Sequence, residues 1–372
     1  MGKRLWMMLI LSLSLVLVLA ACGGTQESQS PAPGGEGASE QEGSDNGNGE
    51  SAEKDIDTTV AIGTHATGSG YHTVGTGFAK IISDYTDISA NVRPMAGPQA
   101  WMPELKTGML EFGLIASPDV YLARTGGPGY DEPVENLRFV FGGMPMYNTG
   151  YGVRADSDIK SLKDLKGKRV ATEFGGNYLM GQQSRAHLAS VGLSYDDVVP
   201  VPVPEFMASL DALQDGSVDA GYPASPDAAK AIEVANAIGG IRVLPFGDLK
   251  PEDIANGIPE ELQAILDEYT PATTLAVVPA GTGILEEDTV HLAYFMTMVT
   301  TTHVSEDTVY EVLKAIWEHT EEMHNVSSYT SKLSPEDMAM EFPPAPYHEG
   351  AKKFYQEMGV WTENHEKVYG EE

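Results

Sequence analysis

The sequence predicts an α/β protein whose two lobes enclose a cleft. From Thr58 onward, short apolar segments typical of strands alternate with longer segments of helical periodicity, which favours mainly parallel sheets flanked by helices. This alternation is interrupted at 144–150 and again at 270–273, and a chain of 372 residues is long enough for about two domains. We therefore expect an inner lobe, 150–272, inserted into an outer lobe made of 58–149 and 273–372.

The individual elements follow from the same pattern. Strands are predicted where short β-branched or apolar runs end in Gly, Pro or Ser, at 59–63, 89–94, 112–116, 137–142, 152–154, 169–172, 198–203, 219–222, 241–245 and 273–278. Helices are predicted where apolar residues recur every three or four positions, at 72–84, 100–107, 119–124, 178–191, 205–214, 227–237, 259–269, 288–302, 306–323 and 348–358. The Met-rich segment 292–299 is apolar nearly all round, which is typical of a core helix.

The first residues have the order of a secretory signal peptide. Lys3 and Arg4 precede an apolar run at 5–18, and small residues lead to Cys22. The run is shorter than the ~20 apolar residues of a membrane span. Leu-Ala-Ala-Cys resembles the bacterial lipobox, which implies a signal peptide at 1–21 and lipidation of Cys22. A secretory signal without lipidation and an uncleaved anchor are the alternatives.

The segment that follows predicts a flexible acidic tether at 22–57. It consists almost entirely of Gly, Ser, Glu, Gln, Asn, Pro and Ala, and such a composition cannot bury enough apolar surface to order itself. The tether would connect the lipid on Cys22 to the folded part of the chain.

Charge and cysteine content exclude several classes of function. The chain has 23 Lys+Arg against 54 Asp+Glu, a formal net charge of -31, which argues against nucleic acid and anionic lipid headgroups as main partners. Its single cysteine excludes an internal disulfide framework and a zinc site built only from cysteines.

Two loops are the strongest candidates for a ligand site. In open α/β sheets, ligands bind beyond the carboxyl ends of strands. The first loop offers Thr64, Gly68, Ser69, Gly70 and Tyr71 between a strand and a helix. Glycines let the backbone approach a ligand, and the helix start directs free N–H groups at an anion. The spacing matches neither a Walker loop nor a dinucleotide fingerprint, and an ordinary strand-to-helix turn is the alternative.

The second loop has the same order in the inner lobe, with Gly175, Gly176 and Asn177 between a strand and a helix. Two such loops, one from each lobe, would hold a ligand from both sides. Further candidates follow other strands at the same sheet edges, and for Trp101 an ordinary core position is the alternative. These candidates are Gln99, Trp101, Ser117, Asp119, Tyr222 and Ser225.

The sequence predicts neither catalytic residues nor a metal or other cofactor. Gly-x-Ser-x-Gly is absent, and the nine histidines do not have zinc-motif spacing. His65 and His72 flank the first loop, where a structural or exposed histidine is the simpler interpretation. We therefore do not expect an enzyme, although an extracytoplasmic enzyme that uses the same cleft stays an alternative.

Several motifs, in this order, carry a family resemblance over residues 58–361. They are Gly-Ser-Gly-Tyr at 68–71, Ser-Leu-Lys-Asp-Leu-Lys-Gly-Lys-Arg-Val at 161–170, Leu-Gln-Asp-Gly-Ser-Val-Asp-Ala at 213–220, and Tyr-His-Glu-Gly-Ala-Lys-Lys-Phe-Tyr at 347–355. The chain resembles the TAXI-type solute-binding proteins of TRAP transporters. The resemblance implies a type II-like periplasmic-binding-protein fold with a cleft between two α/β lobes.

The resemblance also implies a function. A lipid-anchored extracytoplasmic receptor would bind a small organic acid or amino acid, such as glutamate or 2-oxoglutarate, by hinge closure and deliver it to a TRAP-type membrane permease. The pocket loops depart from the family pattern at His65, Ala66 and His72, which indicates a shifted ligand preference. A receptor that serves a membrane sensor is the alternative.

Overall fold

Strands and helices alternate through residues 54–175 and 177–371, which are the residues that the computed structural model describes. The strands are β1 Thr59–Thr64, β2 Ser89–Pro94, β3 Phe112–Ala116, β4 Leu137–Asn148, β5 Gly152–Arg154, β6 Arg169–Thr172, β7 Val199–Pro202, β8 Ala220–Gly221, β9 Ile241–Val243, β10 Thr274–Val278 and β11 Thr289–Thr301. The helices are α1 Gly70–Tyr85, α2 Pro98–Lys106, α3 Ser117–Thr125, α4 Tyr178–Ala189, α5 Ala208–Asp215, α6 Ala229–Ile238, α7 Glu260–Tyr269, α8 Glu306–Glu318, α9 Thr320–Met323, α10 Pro335–Met338 and α11 Glu349–Glu357.

The first sheet has the strand order β10-β11-β3-β1-β2, and β4 pairs with the other edge of β11. β1 is parallel to β2 and β3, whereas β11 is antiparallel to β3, β4 and β10. Its core is built on large buried side chains that include Phe78, Trp101 and Phe141. This sheet and its helices form the first lobe.

The second sheet has the strand order β7-β6-β8-β5-β9. β6 is parallel to β7 and β8, and β5 is antiparallel to β8 and β9. A separate core that includes Leu162, Val170 and Leu213 supports it, and we call this sheet with its helices the second lobe. The chain enters it after β4 and returns to the first sheet at β10.

The predicted α/β class with two lobes is confirmed, but both sheets are mixed rather than mainly parallel. The predicted helix at 288–302 is wrong, because this segment is strand β11. Every residue of β11 except Phe295 is buried, so the two-residue alternation that marks a half-buried strand is missing. The predicted interruption at 144–150 is also wrong over most of its length, since β4 continues to Asn148.

Residues 54–57, predicted as the end of the tether, contact the start of α8. The backbone N–H of Asp57 donates to Thr308 Oγ1 over 2.7 Å, and that of Asp55 donates to Asp307 Oδ2 over 3.1 Å. Cys22, the signal peptide and the rest of the tether lie outside the described residues, and the lobe boundaries at 149/150 and 272/273 stay predictions. Across the described ranges, the helices are too short or too polar to cross a membrane.

Candidate functional site

A small cavity lies where the carboxyl ends of strands from both sheets meet, and we call it the central cavity. Its volume is about 40 Å³, measured as the space open to the centre of a water molecule, which corresponds to about three water positions. The first lobe contributes His65, Ser69, Gly70, Tyr71, Ala116, Asp119, Met146, Tyr294 and Tyr329. The second lobe contributes Asn177, Leu179, Met180, Gln183, Phe206, Met207, Ala224, Ser225 and Ala228.

Three buried polar atoms of the cavity lining have no hydrogen-bond partner among the described residues. They are His65 Nε2, the Tyr71 hydroxyl and Gln183 Nε2. Buried polar groups are nearly always hydrogen-bonded, because an unpaired one costs about 1–3 kcal/mol. The cavity therefore presents hydrogen-bonding groups from both lobes that a polar ligand would satisfy.

The start of α1 brings the first lobe's polar groups to the cavity. Ser69 caps the helix, with its Oγ accepting from the backbone N–H of His72 over 3.1 Å. Gly70 is required next to it, since a Cβ there would lie 2.4 Å from the Tyr329 ring. The His65 ring stacks on Tyr71 at a centroid distance of 4.0 Å. Burial lowers the pKa of His65 to about 3, so its imidazole is neutral at pH 7.

The start of α4 supplies the polar groups of the second lobe. Asn177 caps this helix, with its Oδ1 accepting from the backbone N–H of Met180 over 3.0 Å. Gln183 lies nearly two turns further on, and its Oε1 accepts from Asn148 Nδ2 over 2.5 Å. That bond fixes the orientation of the Gln183 amide.

Asp119, in the first turn of α3, is the carboxylate of the cavity lining within the described residues. Burial raises its pKa to about 7, although hydrogen bonds from Gln99 Nε2 and the Tyr130 hydroxyl, each over 3.3 Å, oppose that rise. Gln99 Oε1 in turn accepts from the backbone N–H of Tyr178 over 3.1 Å. Gln99 therefore connects Asp119 of the first lobe to the start of α4 in the second.

Six of the predicted site residues line the central cavity, and Gln99 lies in an adjoining groove with Asn177, Tyr178, Arg185 and Tyr195. Whether any of them contacts a ligand stays a prediction. The six are Ser69, Gly70, Tyr71, Asp119, Asn177 and Ser225.

The other predicted residues lie outside the cavity lining. Thr64 is buried with its hydroxyl on the carbonyl of His65, Gly68 forms the turn before α1 with φ at +90°, and Gly175 packs against the Pro204 carbonyl. Ser117 Oγ accepts from the backbone N–H of Phe295. Gly176 lies outside the described residues.

Trp101 and Tyr222 belong to the hydrophobic cores instead of the cavity. Trp101 is completely buried in the first core, against the backbone of Gly63 and Gly113. Tyr222 packs edge-on against Tyr151 and beside Phe174 in the second core. Sequence position alone places both next to a sheet edge, but their size and apolar rings favour burial in the adjacent core.

Much of the cavity wall was not predicted from the sequence. Gln183 lies four residues after Leu179 and three after Met180, so these three side chains share one face of α4, but only the cap before them is marked in the sequence. Tyr294 lies on β11 and Tyr329 on a turn at Ser328–Thr330, and no local pattern connects them to the loops. Within the same described ranges, His, Cys, Asp and Glu form no cluster of three or more that could hold a metal ion.

Comparison with known proteins identifies the family of this chain. The chain belongs to the NMT1-like family, whose model matches residues 62–359. It is similar in structure to solved solute-binding proteins. The periplasmic aliphatic sulphonate binding protein SsuA from Escherichia coli is 15% identical with a TM-score of 0.41, over 85% of this chain and 95% of that one.

Two further solved structures show the same level of similarity. A TctC solute binding protein from Polaromonas is 14% identical with a TM-score of 0.40, over 75% of this chain and 86% of that one. The substrate binding protein of an amino acid ABC transporter is 13% identical with a TM-score of 0.41, over 74% of this chain and all of the other.

Proposed function

We propose that this protein is a lipid-anchored extracytoplasmic receptor that binds a small organic acid or amino acid and delivers it to a TRAP-type membrane permease. The observation that carries the proposal is the central cavity, where unpartnered buried polar atoms of both lobes face one space. The resemblance to TAXI-type proteins and the membership of the NMT1-like family support the class of protein. The TRAP-type partner and the anchor at Cys22 rest on the sequence motifs.

The mechanism is closure of the lobes around the ligand. A ligand that contacts both lobes stabilises the closed arrangement by its differential affinity for it. Direct contacts between the lobes support such an arrangement, among them the hydrogen bonds from Tyr178 N–H to Gln99, from Asn148 to Gln183 and from the Ser328 hydroxyl to Asp227. A polar ligand would add bonds to the Tyr71 hydroxyl and to Gln183 Nε2, which make none with described residues.

Tyr71→Phe is expected to weaken ligand binding about fivefold to tenfold without lowering stability. Its hydroxyl has no described protein partner, so its removal costs the fold nothing, whereas the ligand loses a hydrogen bond of about 1 kcal/mol. Ligands are found with a thermal-shift panel of amino acids and mono- and dicarboxylates, and Kd is then measured by calorimetry. Ser69→Ala and Asn177→Ala are poorer tests, because each also removes a helix cap.

Tyr355→Phe is the matched control. Tyr355 is also buried, but its hydroxyl donates to the Val140 carbonyl over 3.2 Å, and neither residue lines the cavity. This variant should lose about 1 kcal/mol of unfolding free energy and keep its ligand affinity. Equal ligand affinity of Tyr71→Phe and the parent protein would mean that the ligand does not bind in the central cavity.

Cys22→Ser is expected to release the protein from membranes and leave ligand binding unchanged. The lipid would be attached through the Cys22 thiol, and Cys22 belongs to the lipobox-like segment that precedes the folded part. Fractionation of cells into membrane and aqueous fractions measures the effect. Retention of the variant on membranes would contradict the lipid anchor.

A further inference from the structure

The charge of the cavity lining is one-sided. Asp119 contributes a carboxylate, and Lys and Arg are missing from the described lining residues. A second carboxylate, Asp227, lies directly behind the lining, where it accepts a hydrogen bond from the Ser225 hydroxyl. No described Lys or Arg forms an ion pair with either carboxylate. A ligand group that carries negative charge would meet like charge here, and a cation would meet its counter-charge.

The same cavity is rich in aromatic walls. Tyr71, Tyr294, Tyr329 and Phe206 all line it, and each is at least nine-tenths buried. The negative face of an aromatic ring attracts a cation, most strongly where water is excluded, and rings around a cation are the usual way to hold an alkylated ammonium group. Aromatic walls with a buried carboxylate suit a cation. A dicarboxylate is bound by clustered cationic side chains, which is the opposite arrangement.

We propose that the central cavity selects a small organic ammonium group, with Asp119 as its counter-charge and the four aromatic side chains as its walls. The inference rests on the proposed receptor function and names the ligand class within it: an amino-bearing or N-methylated solute, and not a dicarboxylate. The cavity of about 40 Å³ holds about three atoms of water size, so the ammonium group would enter while the lobes are further apart, and its methyl groups match the apolar lining.

Asp119 is the lining residue that titrates near neutral pH, because burial raises its pKa to about 7. Gln99 and the Tyr130 hydroxyl donate hydrogen bonds to it, and its charge helps to raise the pKa of Tyr71 and of Tyr294. Burial holds the pKa of His65 at about 3 and raises those of the lining tyrosines, including Tyr329. These groups therefore stay neutral between pH 6 and 8.5, and binding of an ammonium should follow the ionisation of Asp119.

The test measures binding of three probes to the full chain by calorimetry: tetramethylammonium, choline and the uncharged choline isostere 3,3-dimethyl-1-butanol. We expect both cations to bind at least about tenfold more tightly than the isostere, because only they gain the cation–π and carboxylate interactions. Cation affinity should rise about tenfold from pH 6 to pH 8.5, as the ionised fraction of Asp119 increases.

Two cavity variants and one control separate the contributions. Asp119→Asn should weaken cation binding at least about tenfold and abolish its pH dependence, and Phe206→Leu should weaken it while keeping an apolar wall. Asp156→Asn removes an exposed carboxylate outside the cavity and should change neither the affinity for cations nor its pH dependence. Equal binding of choline and its isostere, or unchanged cation binding in Asp119→Asn, overturns the inference. Binding of glutamate but not of either cation overturns it too, yet leaves the receptor function standing.

Discussion

Acidification from pH 7 to pH 4 is expected to unfold the protein, because four buried histidines must take up protons. Burial lowers the pKa of His65 and His291 to about 3 and that of His187 and His348 to about 4. A histidine whose folded pKa is depressed contributes stability above its unfolded value of about 6.5, and this stability is lost as the pH falls towards the folded pKa. Each histidine therefore favours unfolding in the same pH window.

The loss of unfolding free energy can be calculated from how far each histidine pKa is lowered. Shifts of about 2.5–3.5 pKa units correspond to about 3–5 kcal/mol for each histidine, at 1.36 kcal/mol per unit. Since a whole domain is stable by about 5–15 kcal/mol, two or three such protonations are enough to unfold it. Asp119 acts in the opposite direction, because its raised pKa favours the folded state as the pH falls from 7 to 4, but it is one group against four.

The environment of two of these histidines shows why the neutral form is preferred. His348 Nε2 donates to the Val304 carbonyl over 3.1 Å, and its Nδ1 accepts from the backbone N–H of Gly350 over 3.2 Å. A second proton on this ring would break the bond to Gly350. His187 is surrounded by the rings of Tyr151, Tyr222 and Phe246, and loss of hydration in this apolar surrounding is the main reason why its pKa is lowered.

Circular dichroism during a pH titration measures the transition, and we expect its midpoint between pH 4 and 6. His291→Leu removes one of the titrating groups and should move the midpoint to lower pH. His303→Gln replaces an exposed histidine and should leave it in place. A protein that keeps its native spectrum at pH 3.5 would contradict the burial of these imidazoles.

The fold could be predicted where a short apolar run, a helix cap or helical periodicity marks the element. Strand β1, the loop through Ser69 and helix α1 follow from local pattern alone, because a short apolar run, a helix cap and helical periodicity succeed one another in the sequence. β11 could not be predicted in this way. All but one of its 13 residues are buried, and a buried run of that length without alternation has the length of a helix.

The cavity residues likewise divide into those that could be predicted from the sequence and those that could not. Ser69, Gly70 and Asn177 could be predicted because helix starts at sheet edges carry recognisable Gly and cap residues. Tyr294 and Tyr329 reach the cavity from distant parts of the chain, and only tertiary packing brings them to Asp119. The predicted loops and Asp119 therefore indicated where the cavity is and which charge it carries, whereas most of its aromatic wall, Phe206, Tyr294 and Tyr329, came from the fold.

Trp101→Ala is expected to lower the free energy of unfolding by about 3–5 kcal/mol, the cost of removing a large aromatic side chain from a core. Trp101 is fully buried in the first lobe. Two glycines make room for it: a Cβ at Gly113 would lie 2.5 Å from the indole, and one at Gly63 would lie 3.0 Å from it. Both glycines are therefore part of how this core accommodates a tryptophan, and neighbouring side chains cannot collapse easily into the cavity that the alanine leaves.

Urea denaturation measures the loss, and Trp317→Ala is the control. Trp317 is only partly buried on α8, where it contacts the rings of Phe354 and Tyr355, so its removal should cost clearly less.

Ligand affinity, measured on the folded fraction, distinguishes the two positions that the sequence left open for Trp101. If Trp101 is only a core residue, its loss changes stability and leaves affinity as it is, because Trp101 is not among the residues that line the cavity. A loss of affinity with unchanged stability would return Trp101 to the binding site and would mean that the lobes hold their ligand nearer to α2 than the central cavity.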